Sequence, residues 1–322
     1  MGVRIAMTGA TGFAGEHVLR RLLAEGHELR ALARDPRKLT PQGRLDVVAG
    51  DLRSPASLQS FAAGADVIVN LAGATAARSR ADFHAINAHG TRFLAAAAAA
   101  AGVKRFIHVS SLAARAPELS PYAESKRAAE EALSGFSTAV VLRPPAIYGP
   151  GDRGTLPLIR QLLRPLAVIP GSNSSRFSLL FVEDLASVIA GMIGTALSGV
   201  HEVHDGTPGG YSWEDLAETA RAAEGTPRRV AYLPRMLPLA LAHLAAPLRV
   251  AAARPPLFSP GKVRELYHRD WICTGGLTAP RPTPFAEGFK RTVQWYRQEQ
   301  WLPPRHNADK SRATATTGDQ GS

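Results

Sequence analysis

Tyr122 and Lys126 stand four residues apart in Tyr-Ala-Glu-Ser-Lys. On a helix that spacing puts both side chains on one face, one turn from each other. A tyrosine hydroxyl, with a pKa of about 10, is a poor base at neutral pH. A lysine ammonium beside it stabilises the phenolate and lowers that pKa, giving a group able to exchange a proton with a substrate oxygen. The spacing alone is unspecific and equally describes a solvated helical pair. Its setting is more telling, because the pair follows an apolar run, Phe106 to Val109, that ends in Ser110-Ser111.

A second constellation lies at the start of the chain, in Thr8-Gly9-Ala10-Thr11-Gly12-Phe13-Ala14-Gly15. Val3 to Met7 before it reads as a buried strand, and Val18, Leu19, Leu22 and Leu23 after it share one helix face. Strand, glycine turn and helix together offer unpaired N–H groups and a positive dipole end to a pyrophosphate. Gly9 permits the tight turn, Gly12 lets backbone approach phosphate, and Gly15 lets the helix lie close on its strand. The spacing is G-x-x-G-x-x-G and not G-x-G-x-x-G.

These groups need a scaffold, and the chain alternates strand and helix patterns. Further strands are expected at 27–33, 45–49, 66–71, 106–109 and 139–142, with a long helix over 83–102 built on seven consecutive alanines. The second strand ends in Ala33-Arg34-Asp35-Pro36-Arg37-Lys38. An arginine there pairs with the 2′-phosphate of NADP, whereas an acidic side chain accepts from the ribose of NAD. Arg34, helped by Arg37 or Lys38, favours NADP(H); Asp35 keeps NAD(H) open through a one-residue shift.

With these motifs in order, the chain resembles the extended short-chain dehydrogenase/reductase superfamily and its NAD-dependent epimerase/dehydratase group. The resemblance rests on the glycine loop, Gly50-Asp51-Leu52, Asn70-Leu71-Ala72-Gly73, Asn87 with Gly90-Thr91, Tyr122-x-x-x-Lys126 and Arg143-Pro144-Pro145-Ala146-Ile147-Tyr148-Gly149-Pro150. It spans residues 3–151 and extends through Val182-Glu183-Asp184-Leu185-Ala186. It implies a doubly wound parallel α/β sheet of Rossmann type with a smaller C-terminal substrate-binding part. Thr8, Gly9, Thr11, Gly12, Phe13, Gly15, Arg34, Asp51, Leu52, Ala72, Gly73, Lys126, Pro144 and Ile147 are the implied cofactor contacts. Tyr122 takes the acid/base role, Lys126 depresses its pKa and holds the nicotinamide ribose, and Ser111 hydrogen-bonds the substrate oxygen in preference to Ser110.

The expected division is a nucleotide-binding core over 1–150, completed by about 176–205. A substrate-binding part follows over 151–175 and 206–302, and the polar, pattern-free 303–322 reads as a disordered tail. The leading reading is an NAD(P)-dependent oxidoreductase of a small or lipophilic carbonyl or alcohol, the substrate being a small molecule. A nucleotide-sugar epimerase or dehydratase is the alternative, with Arg176 as candidate diphosphate ligand, although the companion R-x-G-D-type segment is missing and Arg281-Pro282 is a poor substitute. A non-catalytic nucleotide-binding assembly or regulatory protein is the third.

Composition narrows the partners. The chain has 322 residues, 45% hydrophobic and 20% charged, as ordinary globular proteins do. Its formal net charge is +11, but the arginines are dispersed without a basic run, so nucleic acid is not expected as a partner. Cys273 is the single cysteine, which precludes an internal disulfide and fits a reducing, cytoplasmic setting. No metal site is expected, since His201 and His204 point to opposite strand faces. A strand beginning at residue 3 leaves no room for a signal peptide. Met236 to Leu248 is the most apolar stretch and is too short for a membrane span, leaving packed helices, an apolar lid or lipid-surface contact. A homodimer is compatible with all of this.

Overall fold

The computed structural model describes residues 2–39, 43–225, 229–244 and 259–304. The expected tail from residue 305 onward and the end of the apolar stretch, 245–248, lie outside them.

The first half alternates as its pattern demands. Strands β1 (Arg4–Thr8), β2 (Glu28–Ala33) and β3 (Leu45–Ala49) are separated by helix α1 (Phe13–Ala24) and a short 3-10 turn. Helix α2 (Pro55–Ala62) leads to β4 (Val67–Asn70). The helix expected over 83–102 is compound: α3 (Arg80–Phe83), a π-helical turn (His84–His89) and α4 (Gly90–Ala100). Strand β5 (Arg105–Val109), helix α5 (Pro121–Glu131) and strand β6 (Ala139–Arg143) follow.

The second half adds β7 (Ala146–Tyr148), α6 (Leu156–Leu162), β8 (Leu166–Ile169), β9 (Arg176–Phe177), β10 (Leu179–Phe181) and α7 (Val182–Met192). Strand β11 (Gly199–Glu202), α8 (Trp213–Glu224), β12 (Arg229–Tyr232) and α9 (Met236–Leu244) come next. Helix α10 (Pro260–Leu266), β13 (Asp270–Trp271) and helix α11 (Phe285–Gln298) close the described chain. Ser212 caps α8 in a capping box with Asp215. Strand β11 ends at Glu202, so His204 falls after it and does not share a strand with His201.

Seven parallel strands form the main sheet in the order β11-β6-β5-β4-β1-β2-β3. The order reverses between β1 and β4, and in such sheets ligands bind outside the carboxyl ends of the strands at that point. Two hydrophobic clusters cover the two faces. One contains Ile5, Met7, Val69 and Leu180 with α1 and α7; the other contains Ala6, Ile68, Phe106 and Leu94 with α2 and α4. The alanines of α4 alternate between buried positions (Ala95, Ala97, Ala98) and exposed ones, so the helix lies close against the sheet.

A third cluster gathers Tyr148, Phe181, Trp213, Phe285, Phe289 and Tyr296 from the second half. Gly288 in α11 permits this packing, since a Cβ there would come 2.3 Å from the Tyr148 hydroxyl.

Candidate active site

The glycine loop is built by close approach. Gly9 has φ +79°, and a Cβ on it would lie 2.7 Å from the Ala72 nitrogen. A Cβ on Gly15 would lie 1.9 Å from the Gly9 carbonyl oxygen, so α1 can start at this depth only with glycine there. Gly12 is the N-cap of α1 and has no side chain to satisfy the first-turn N–H groups. Thr11 and Gly12 are exposed, leaving that helix end open to an anion, while half-buried Phe13 stands edge-on to His17 with ring centroids 5.8 Å apart.

Thr8 ties the loop to the neighbouring strand. Its hydroxyl donates to Asn70 Oδ1 at 2.6 Å and accepts from the Ala72 N–H at 3.1 Å. Asn70 Nδ2 in turn faces His108 Nδ1 at 3.1 Å and donates to Thr91 Oγ1 at 3.2 Å. Burial and the Lys126 charge push the His108 pKa well below its ordinary value, so the ring is neutral. Its Nε2 is buried without a partner among the described residues. This polar layer crosses the β1/β4 switch point and fixes the Ala72-Gly73 backbone.

At the end of β2, Arg34 is exposed, whereas Asp35 accepts from the Arg37 guanidinium at 2.9 and 3.2 Å. Asp51 is likewise held by Arg53, at 3.0 and 2.9 Å, which keeps its carboxyl below the usual range. Asp51 therefore does not cap α2; Ser54 occupies the N-cap position. Leu52 is buried and packs against Gly90, where a Cβ would come within 2.9 Å of it.

Helix α5 carries Tyr122 and Lys126. Ser120 caps it, accepting from the Ala123 N–H at 3.0 Å, and Pro121 fits its first turn. Lys126 is buried; its Nζ donates to the Val109 carbonyl at 2.8 Å and would sit 3.7 Å from a Cβ on Gly73. Burial pushes the Lys126 pKa down to about 8, while the Glu130 carboxylate pulls it back up. Contrary to the lowering expected from Lys126, the phenol of Tyr122 is pushed up to about 12 by burial; the adjoining Ser111 hydroxyl lowers it and the Glu265 charge raises it. Phe83 stands edge-on to the Tyr122 ring at 6.1 Å.

The two serines separate cleanly. Ser110 is buried and donates to Glu130 Oε1 at 2.5 Å; Glu130 also receives Arg143 through Nε at 2.9 Å and Nη2 at 2.5 Å. Ser111 is half-buried beside Tyr122, its oxygen accepting from the Ala113 N–H at 3.2 Å. Pro144 is buried, and its carbonyl accepts from the Leu112 N–H at 2.8 Å, which anchors the turn after Ser111. Ile147 lies on β7 against the first core cluster.

The glycine loop, Asn70-Leu71-Ala72-Gly73, Ser111 and Pro144 thus follow the carboxyl ends of β1, β4, β5 and β6, with Tyr122 and Lys126 facing them from α5. Asn87, in the π-helical turn, links two of these parts. Its Oδ1 accepts from the Ala74 N–H at 2.7 Å, and its Nδ2 donates to Ser125 Oγ at 2.8 Å and the Ala74 carbonyl at 3.1 Å. Sequence reading missed His108, Glu130 and Glu265. A lone histidine in the buried run Arg-Phe-Ile-His-Val and a glutamate one turn beyond Lys126 were the available signals. Nothing local marked Glu265.

Arg176, the candidate diphosphate ligand, pairs with Asp215 at 3.3 Å, and Arg281 is exposed. Among the described residues no cluster of three His, Cys, Asp or Glu could hold a metal, and no helix is long and apolar enough to cross a membrane.

Residues 5–204 match the family described as NAD dependent epimerase/dehydratase. The ceramide reductase of Caulobacter vibrioides is 40% identical over 307 residues, 93% of this chain and 96% of that protein. A 4-hydroxy-2-methyl-3-oxo-4-farnesyl-3,4-dihydroquinoline-1-oxide ketoreductase of Stigmatella aurantiaca is 30% identical over 286 residues, covering 79% and 84%. The crystal structure of the Bordetella bronchiseptica enzyme WbmH in complex with NAD+ superposes with a TM-score of 0.67 at 19% identity, covering 92% of this chain and 99% of that one. The chain belongs to the NAD-dependent epimerase/dehydratase family of extended short-chain dehydrogenases/reductases.

Proposed function

We propose that this chain reduces a lipophilic ketone, or oxidises the matching alcohol, with NADP(H) as the preferred cofactor. The observation that carries the reading is that α5 brings Tyr122 to the Ser111 hydroxyl after β5 and Lys126 to the Val109 carbonyl and Gly73, at the carboxyl ends of β5 and β4. The loop fits a dinucleotide, because its glycines leave space that a Cβ would fill and α1 has no side-chain cap of its own. Thr8, Gly9, Thr11, Gly12, Phe13 and Gly15 would hold it there, with Arg34, Asp51 and Leu52 toward the adenosine end. Ala72, Gly73, Lys126, Pro144 and Ile147 would flank the nicotinamide end. Bound there, nicotinamide supplies or accepts the hydride.

In reduction, Ser111 holds the carbonyl oxygen and Tyr122 delivers its phenolic proton to that oxygen as the carbon receives the hydride. A phenol pushed up to about 12 is protonated at neutral pH and suits the donor role. Lys126, about 8, is mostly protonated there and stabilises the phenolate left behind. The ceramide reductase and ketoreductase relatives support a lipophilic ketone as substrate. The NADP(H) preference is supported by Arg34, which is exposed, and by Asp35, whose carboxylate is already committed to Arg37. A nucleotide sugar is less well served, since Arg176 is engaged by Asp215. The substrate side is assigned to 151–175 and 206–302, where the third core cluster gathers most of its residues.

The test is a Tyr122→Phe variant assayed with NADPH and a long-chain aliphatic ketone. Turnover is expected to vanish while NADPH affinity stays near that of the parent. Retained turnover would remove Tyr122 from the acid role; tightly held NAD released on denaturation, with no ketone reduction, would favour the epimerase reading.

A further inference from the structure

The solvent side of α9 is its apolar side. Met236, Leu237, Leu241 and Leu244 are 71%, 56%, 65% and 75% exposed, and Ala240 is exposed with them. They recur at i, i+1, i+4, i+5 and i+8, which is one continuous helix face. What the helix turns inward is small: Pro238 and Ala242 are its buried residues. A helix packed into a protein core does the reverse; α9 is packed along one narrow side only.

The surroundings are basic. Between Glu224 and Glu265 the sequence contains no acidic residue, but six arginines and one lysine. Of these, Arg229 and Arg235 are exposed, and Arg235 stands immediately before the methionine and leucine that open the apolar face. Over its nine described residues α9 spans roughly 14 Å, far short of a bilayer, so these residues can meet lipid only along its surface. An apolar face that opens on exposed Arg235, within a basic stretch of sequence free of acidic residues, fits the interface of an anionic bilayer.

The face is also joined to the candidate active site. Helix α9 packs against α10, and the Tyr267 hydroxyl donates to the Leu233 carbonyl at 2.6 Å, pinning the approach to α9. Helix α10 in turn seats Gly261 against Ser120, where a Cβ would lie 2.7 Å from the serine Cβ, and Arg264 Nε donates to the Leu119 carbonyl at 2.8 Å. Ser120 caps the helix that carries Tyr122.

We propose that the α9 face docks this protein on an anionic lipid bilayer, presenting the substrate side of Tyr122 to lipid-borne ketones. This rests on the lipophilic-ketone reading and adds where that substrate is met.

The test is flotation of the full chain with vesicles of phosphatidylcholine, with and without phosphatidylglycerol, in the absence of cofactor and substrate. The parent protein is expected to float with phosphatidylglycerol vesicles, less with phosphatidylcholine alone, and to be released by salt. A Leu241→Glu/Leu244→Glu variant should lower the vesicle partition coefficient by about tenfold or more. It should keep its melting temperature and its turnover of a water-soluble ketone. Arg235→Ser should weaken partition onto phosphatidylglycerol vesicles about fivefold and leave phosphatidylcholine binding unchanged. No flotation with either vesicle, or flotation that the leucine substitutions leave intact, overturns the proposal. So does a dimer in sedimentation that these substitutions dissociate without any vesicle binding, which would assign the face to a second copy of the chain. Because binding is measured without chemistry, its failure is separate from failure to reduce a lipophilic ketone in solution.

Discussion

The hydroxyl of Ser120 donates to the carboxylate of Glu265, joining the cap of the Tyr122 helix to α10. Both residues are buried, and Lys262 completes the carboxylate's shell at 3.0 Å. The contact spans 145 residues of sequence.

That contact carries two consequences that substitutions separate. In Glu265→Gln an acceptor remains for Ser120, but the negative charge that raises the Tyr122 pKa is gone. The phenol then ionises at lower pH, so the alkaline fall in ketone reduction, which needs the protonated phenol, moves to lower pH. Glu265→Ala removes the acceptor as well, and loss of a charge-assisted bond predicts about a tenfold fall in kcat. Matched pH–rate profiles of parent and Gln variant check the first; an unshifted alkaline limb would deny Glu265 any electrostatic hold on Tyr122.

Lys126 is a site where function opposes stability. Its folded pKa, about 8, lies below the ordinary 10.5 because burial penalises the charged form. Below pH 8 the ammonium is charged in both folded and unfolded chains and the full penalty is present. Between about 8 and 10.5 only the folded chain loses its proton, and the penalty disappears. Lys126→Met is therefore expected to stabilise the cofactor-free protein by about 1–3 kcal/mol at pH 7, with the gain fading above pH 8. Turnover should fall with it. Denaturant titrations at pH 7 and pH 10 check the sign; a gain that grows with pH would contradict it.

On the proposed reading, three side chains after β2 are expected to set the choice of cofactor. Arg34→Ala should weaken NADPH binding about tenfold or more and leave NADH nearly unchanged, since only the 2′-phosphate is lost as a partner. Arg37→Ala should act in the opposite sense on NADH, because it frees the Asp35 carboxylate to accept from ribose hydroxyls. Titration of each variant with both nucleotides distinguishes them. Equal losses for NADPH and NADH in Arg34→Ala would mean that Arg34 serves the pyrophosphate or the fold.

The strand and helix order of the first half could be read from sequence because each unit is local. A short apolar run makes a strand buried on both faces, and Gly9, Gly12 and Gly15 are needed within a single turn. Ser111 was distinguishable from Ser110 only by resemblance; the physical reason is that the Ser110 hydroxyl is taken by Glu130, which Arg143 in turn holds in place from β6. The short strand pairs β7–β10, β8–β12 and β9–β13 went unread, since strands of two to four residues carry no period. Glu265 and the exposed face of α9 depend on which elements the second half packs together, and residue spacing does not encode that. The π-helical turn at His84–His89 was also invisible, because its apolar spacing differs little from that of an α-helix.

Asn87 shows what that turn accomplishes. It spends both ends of its amide on fixing the Ala74 backbone and reaches Ser125 on the Tyr122 helix. Ser125 in turn donates to the Tyr122 carbonyl at 2.8 Å. A Cβ on Gly73 would sit 3.1 Å from the Asn87 oxygen, so the loop and the amide leave each other almost no slack. Asn87→Ala leaves the Ala74 N–H and carbonyl without their partner in a half-buried place, at a cost of roughly 1–3 kcal/mol. Because those groups hold the loop beside Lys126, cofactor affinity should fall by about tenfold while the pH dependence of turnover stays that of the parent. Asn87→Asp keeps the acceptor for the Ala74 N–H but loses the donors, and should recover only part of the affinity. Isothermal titration with NADPH, paired with melting curves, checks both; a variant that loses stability but binds NADPH like the parent would make Asn87 a packing residue alone.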